Sequence, residues 1–155
     1  MRHAAIWLAA LAFGLGGCAG PPPPPAGPTD QLRIVSLNPC SDAILAEIAP
    51  GKLVAVSHYS HDPSAGSMPV DRARRWPSTG GSVEEILAMD ADMVVASTFL
   101  PPATRSALDK LDIPVVTLGM ENTVAGSLGQ VRKLAVEVGE AQAGEALARR
   151  IEAAI

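Results

Sequence analysis

From Leu32 onward the sequence predicts an α/β fold: a parallel sheet with helices on both faces. Three observations carry this. Short runs rich in Val, Ile and Leu are almost continuously apolar, as strands covered on both faces must be. Each run is followed by a stretch whose apolar residues recur at helical spacing. Gly, Pro and Asn stand at the joints between the two kinds. Strand-like and helix-like stretches in alternation imply βαβ units and a parallel sheet.

The first strand is expected over Leu32-Arg33-Ile34-Val35-Ser36-Leu37, interrupted by Asn38-Pro39. A helix then begins at Cys40 or Ser41, with Ile44, Leu45 and Ile48 on one face, and Pro50-Gly51 stops it. Leu53 to Ser57 is the second strand, followed by a polar loop from His58 to about Thr79. Ser82 with Glu85 three residues on forms a capping box. Val83, Ile86 and Leu87 of the short helix it opens should face the core. Met93 to Ser97 is the third strand. Pro101 to Leu111 is a helix with Leu108 and Leu111 inward, and Pro114 to Leu118 is the fourth strand, ended by Gly119. Thr123 to Gly139 forms a long helix with Leu128, Val131, Leu134, Ala135 and Val138 at helical spacing, and Ala141 to Ile155 starts another.

The chain opens with an export signal. Arg2 and His3 supply the basic tip, Ala4 to Phe13 the apolar run, and Leu15-Gly16-Gly17-Cys18 the small-residue site. The run falls short of the roughly 20 residues that a spanning helix needs. Leu15 to Cys18 resembles a bacterial lipobox, which makes 1–17 a lipoprotein signal peptide and Cys18 the lipidated residue; ordinary cleavage near Ala19 is the alternative. Residues 18–31 hold the unbroken prolines Pro21 to Pro25. Such a run favours an extended polyproline rod. At about 3.1 Å per residue it would hold a domain roughly 25 Å from its anchor. The expected divisions are therefore the signal peptide, the 18–31 tether, an α/β lobe at 32–140 and a last helix at 141–155.

Composition narrows the class. The chain carries net charge −4, and removing residues 1–17 takes away only Arg2 among the charges, leaving −5. With no basic patch and 3% aromatic residues, nucleic acid is excluded as a partner. With Cys18 lipidated, Cys40 is the one remaining cysteine, so no internal disulfide is expected. No G-x-G-x-x-G follows the first strand and no G-x-x-x-x-G-K-[ST] occurs, so the common nucleotide sites are unsupported and no resident cofactor is expected. In open parallel sheets ligands meet the loops at the carboxyl ends of the strands. Here those loops are Ser36 to Ser41, Ser57 to Pro63, Ser97 to Pro101 and Gly119 to Asn122, rich in hydroxyls with Tyr59 and Phe99 among them.

Three blocks carry a resemblance. Arg33-Ile34-Val35-Ser36-Leu37 with Asp42 and Leu45, Leu53 to Ser57 with Tyr59-Ser60 and Asp62-Pro63, and Gly80 to Ala96 occur in order along about residues 32–155. They resemble the vitamin B12 and ferric-siderophore periplasmic solute-binding proteins of ABC importers. The resemblance implies the Rossmann-like N-terminal lobe of a two-lobed clamp built on a long rigid helix, and a binding protein rather than an enzyme. It implies a cobalamin or ferric chelate ligand, and a permease and ATPase as partners. Periplasmic location follows, membrane-anchored through lipid or soluble. Tyr59 matches an aromatic residue that packs on the ligand, and Glu84 an acidic residue that docks on the permease. Members often carry tryptophan two residues before the glycine matching Gly80; Ser78 stands there, and Trp76 two residues earlier is the candidate substitute. Members also continue into a second lobe, so 141–155 reads as the start of the interlobe helix of a truncated or fragmentary chain.

The candidate ligand residues are Asn38, Pro39, Cys40, His58, Tyr59, Ser60, Trp76, Thr98 and Phe99. His58 and His61 beside Asp62 also form a plausible metal constellation, the basis of an alternative metal- or heme-binding lipoprotein; as loop histidines they need no such role. Cys40 at a helix start could be a reactive thiol, but no acidic partner supports a nucleophile, and a small ligand-lining residue is the plainer reading. Arg72, Arg74 and Arg75 could receive acidic groups of a chelate or form a solvated loop. Met68 and Met120 are expected as core or rim fillers, and Glu84 could simply complement a helix dipole.

Overall fold

The computed structural model describes residues 31–155. The expected signal peptide, Cys18 and nearly all of the 18–31 tether lie outside the described residues. Five strands form one sheet: β1 (Ile34–Ser36), β2 (Leu53–Ser57), β3 (Ser78–Thr79), β4 (Met93–Ser97) and β5 (Val115–Leu118). Their order is β3-β2-β1-β4-β5 and every pairing is parallel. The register sets Ile34 beside Met93 and Ser36 beside Val95, then Ser97 beside Leu118. Among the described residues no helix is long and apolar enough to cross a membrane.

Side chains alternate across a strand, so neighbours serve opposite faces. Ile34, Val56, Val95 and Leu118 enter one core with Leu45 and Ile48 of α1 (Pro39–Ile48) and Leu134 of α5 (Val124–Glu137). Val35, Ala55, Val94 and Ala96 enter the other with Ile86 of α3 (Val83–Ala88) and Leu108 of α4 (Pro102–Lys110). Ile34, Leu45, Ile86, Leu108 and Leu134 are fully buried, and each such side chain contributes about 1.5–3 kcal/mol by leaving water. All five α5 positions read from the spacing are buried, Leu128, Val131, Leu134, Ala135 and Val138.

Helix starts are chemically specified. Asn38 caps α1 by accepting the Cys40 N–H at 2.8 Å, with Pro39 at the first helical position. Ser82 and Glu85 cap α3 reciprocally, and Thr123 accepts the Gly126 N–H at 3.0 Å to open α5. The last helix, α6 (Ala141–Glu152), lies against α5 and α1. Gly144 permits the close approach, since a Cβ there would overlap Ala135. Arg132 of α5 pairs with Glu145 and Glu152 across the same seam.

The structure corrects three expectations. The stretch from His58 to Thr79 is not one loop: it holds a 3-10 turn (His58–His61), α2 (Val70–Ala73) and β3. Two polar residues give no periodic signal, and Ser78–Thr79 becomes a strand only by pairing with Val56 and Ser57 of β2. Leu87, expected inward, is 45% exposed, because α3 is a single short helix that seats Ile86 alone in the core. Leu111 is equally exposed because α4 ends at Lys110, leaving it outside the helical face.

Candidate functional site

β1 is flanked by β2 on one side and β4 on the other, so chain crossovers leave it in both directions. Parallel sheets leave a crevice at such a switch point, outside the carboxyl ends of the strands. Two clefts occupy it. The first, about 330 Å³, is walled by Leu37 after β1, His58 and Tyr59 after β2, Gly80 and Gly81 after β3, and Phe99 after β4. Gly81 adopts φ +83°, open to glycine and strained for other residues, with the Leu37 side chain close against it. The second cleft, about 550 Å³, lies on the β4–β5 side and is more apolar, walled by Asn38, Cys40, Ile44, Met120, Gln130 and Val131. Ser97 and Phe99 belong to both. Phe99 is 73% exposed and forms the ridge between them. Both volumes fall within the range of small-molecule sites, about 300–1,000 Å³.

The aromatic residues sit where a ligand would meet them. Tyr59 is 51% exposed, and the His58 ring lies over it with centroids 4.0 Å apart and planes tilted by 36°. An exposed ring is a costly thing to present to water, and it suits stacking on a flat or apolar partner. Asn38 and Cys40 reach the second cleft, although the Asn38 amide oxygen is already engaged as a helix cap. Cys40 is exposed, its Sγ 3.7 Å from Ser67 Oγ. Met120, 82% exposed, is a rim residue, whereas Met68 packs on the core.

Other sequence-derived candidates fall elsewhere. Ser60 is fully buried and donates to Asp42 Oδ2 at 2.7 Å, so its hydroxyl faces inward rather than toward a ligand. Trp76 is half-buried against the core and lines neither cleft, since it precedes β3 and so stands at the amino end of that strand, away from the carboxyl tips. Pro39 is spent on the helix start and lines neither cleft. Thr98 is exposed but also lines neither; its N–H donates to Leu118 O at 3.1 Å.

The two histidines separate. His61 Nε2 sits 3.3 Å and 3.2 Å from the carbonyls of Ala73 and Trp76, holding the 3-10 turn to α2, while His58 faces the cleft. Among the described residues no three His, Cys, Asp or Glu side chains converge as a metal site. Arg72 is drawn away from any ligand by Glu47 and the Ala46 carbonyl, leaving Arg74 and Arg75 exposed. Glu84 lies exposed in the first turn of α3, unpaired among the described residues.

The residue that sequence reasoning passed over is Asp42. It is fully buried in the first turn of α1, and its Oδ2 accepts the Ser57 N–H at 2.9 Å and the Ser60 hydroxyl at 2.7 Å. Its Oδ1 has no hydrogen-bond partner among the described residues. Burial pushes its pKa from 3.8 up to about 7, with the neighbouring Ser36 and Ser60 hydroxyls and the Ser57 amide pulling the other way. The available signal was a carboxylate one turn into a helix whose flanking strands both end in serine.

Comparisons with known proteins agree with this geometry. No curated protein sequence matches the chain. Among solved structures, the periplasmic heme-binding protein RhuT from Roseiflexus sp. RS-1 is 25% identical with a TM-score of 0.66, over 79% of this chain and 47% of that one. The periplasmic vitamin B12 binding protein BtuF of Vibrio cholerae is 24% identical with a TM-score of 0.61, over 77% and 46%. A periplasmic heme-binding protein from Pseudomonas aeruginosa is 23% identical with a TM-score of 0.60, over 77% and 43%. The chain thus spans less than half the length of these structures. A family model described as periplasmic binding protein matches residues 34–155, from the first residue of β1 to the last of the chain. Members of that family are substrate-binding proteins, not enzymes. On that match and this sheet order, the chain belongs to the periplasmic binding protein family.

Proposed function

We propose that this protein captures a bulky metal chelate outside the cytoplasm and delivers it to an ABC importer. The chelate is cobalamin or a ferric-siderophore-type complex. The observation that carries the reading is the pair of exposed rings, Tyr59 and Phe99, that both line the first cleft at the switch point. Flat rings bury a corrin or chelate surface without needing to bond its metal. The described residues offer contact to one side of such a ligand. Most of a bound molecule's surface is normally covered, so strong retention calls for a further surface over the same rim. Glu84, exposed and unpaired among the described residues, is the contact for an arginine on the permease. Cys18 carries the lipid, and residues 18–31 hold the lobe off the membrane.

A second reading, heme as the cargo, is favoured by one observation: His58 and Tyr59 stack together at the cleft edge. Two of the similar structures are heme-binding proteins and the third is a vitamin B12 binding protein. The version of this reading that pairs His58 with His61 loses its geometric basis, since His61 is committed to backbone carbonyls.

Titration of the purified chain with cyanocobalamin, heme and a ferric hydroxamate, followed by quenching of Tyr59 and Trp76 emission, ranks the ligands. One of the three is expected to saturate. Tyr59→Ala and Phe99→Ala should each weaken it by about 0.5–1.5 kcal/mol beyond lost area, at least a few-fold in affinity. Absence of saturable binding by all three, or binding indifferent to both substitutions, would remove the proposal.

A further inference from the structure

We propose that Asp42 is a positioning residue for the binding rim, tying the 3-10 turn that carries His58 and Tyr59 to the first turn of α1. The inference rests on the reading of that rim as the ligand surface. Oδ2 holds both ends of the segment, the Ser57 N–H before the turn and the Ser60 hydroxyl within it. Tyr59 lies between these two anchors, so the backbone that presents its ring at the cleft edge is held on both sides.

The surroundings make this tie sensitive to protonation. β1, β2 and β3 contain no ionisable residue within Ile34–Ser36, Leu53–Ser57 or Ser78–Thr79. The turn brings His58 and Tyr59, both exposed, and His61, which is held by two carbonyls. α2 brings Asp71, exposed, and Arg72, which is taken by Glu47 of α1. Asp42 therefore has no ion pair among the described residues, and Oδ1 is left without a donor. A buried charge in that position is costly unless a donor or water reaches it. The closed seam belongs to the neutral acid, and ionisation favours a loosened turn that lets solvent in.

Burial pushes the carboxyl of the closed rim up to about 7 from the ordinary 3.8, so the fraction of closed rim falls as pH rises from 3.8 toward about 7 and levels off above it. Apparent affinity falls in proportion, by about tenfold across that window relative to the acid limit. Rising pH should thus release ligand.

Tyr59 is the single tyrosine of the chain, so the full chain carrying 13C-labelled tyrosine gives one ring signal without any ligand. That signal is expected to shift with pH between 3.8 and about 7 in the wild type and to level off above. The same titration should persist in His58→Gln, which removes the stacked imidazole, and vanish in Asp42→Asn, which keeps an oxygen acceptor for Ser57 and Ser60. Loss in His58→Gln with persistence in Asp42→Asn overturns the proposal. Cyanocobalamin and heme affinities measured across the same range should weaken about tenfold in the wild type and stay level in Asp42→Asn. A ring signal that follows Asp42 while neither probe binds supports the positioning role and removes the ligand reading. Binding that depends on Tyr59, with ring signal and affinity both flat in pH, supports the ligand reading and overturns this inference.

Discussion

The two ends of α1 treat a carboxylate in opposite ways. At the first turn Asp42 is buried beside serines, with no cation and with one oxygen unpartnered, and its pKa is pushed up to about 7. One and a half turns on, Glu47 meets Arg72 and Arg150, whose hydrogen bonds hold its pKa below the usual range. Glu47 pins α1 to α2 and α6, a structural use of charge at a wet edge. Asp42 sits under the binding rim, where nothing neutralises it. On α1 the carboxylate at the wet edge is paired, and the buried one beneath the rim has no cation among the described residues.

The largest test of this contrast is pH. A raised folded pKa means that folding takes up a proton above 3.8, so the contribution of Asp42 is full below that value. It is then lost as pH rises toward about 7. Unfolding free energies from urea titrations should fall over that window, by up to about 1.4 kcal/mol per pH unit, and Asp42→Asn should flatten the slope. Glu47 works in the other direction: its lowered pKa adds stability above the ordinary glutamate range, lost as pH falls through the folded value. A wild-type profile that rises steadily from pH 4 to 7 would reverse the assignment.

Next in size is Asp42→Ala, measured at pH 5. It leaves the Ser57 N–H and Ser60 hydroxyl buried without an acceptor, at a cost of about 1–3 kcal/mol. Glu47→Gln comes third. Its partners are partly solvated, and a loss of about 0.5–1 kcal/mol in chemical denaturation is expected. A cost above that of Asp42→Ala would mean that the charged network, not the buried seam, dominates α1. The smallest stability effects belong to the rim: Tyr59→Ala and Glu84→Ala should each change stability by less than about 0.5 kcal/mol. Only the first should weaken ligand binding, and only the second should slow uptake in a transport assay.

Much of the fold was legible in the residues. Four strands announced themselves because a doubly covered strand must be apolar along its whole length, as Met93 to Ala96 nearly is. The core face of α5 was readable because helical period and burial coincide at Leu128, Val131, Leu134, Ala135 and Val138. The site was legible only as a set of loops. Tyr59 and Phe99 stand at the cleft, but Ser60 next to Tyr59 points inward, and nothing in the order His58-Tyr59-Ser60-His61 says that a 3-10 turn will rotate alternate hydroxyl and ring to opposite sides. Trp76, a candidate pocket wall only through the family resemblance and two residues off the expected position, packs half-buried on the core.

What the amino-acid order determined by itself was local: where chains extend, where helices begin and end, and which faces are apolar, since these follow from period, caps and turn chemistry within a few residues. What only the tertiary structure decided was which groups meet across long separations. Ser78–Thr79 became a strand because β2 was beside it, His61 became a tie because two carbonyls were within reach, and Asp42 became a buried acid because three segments closed over it. Burial changes the free energy of a charge by more than any local preference does, and burial is a property of the assembled chain.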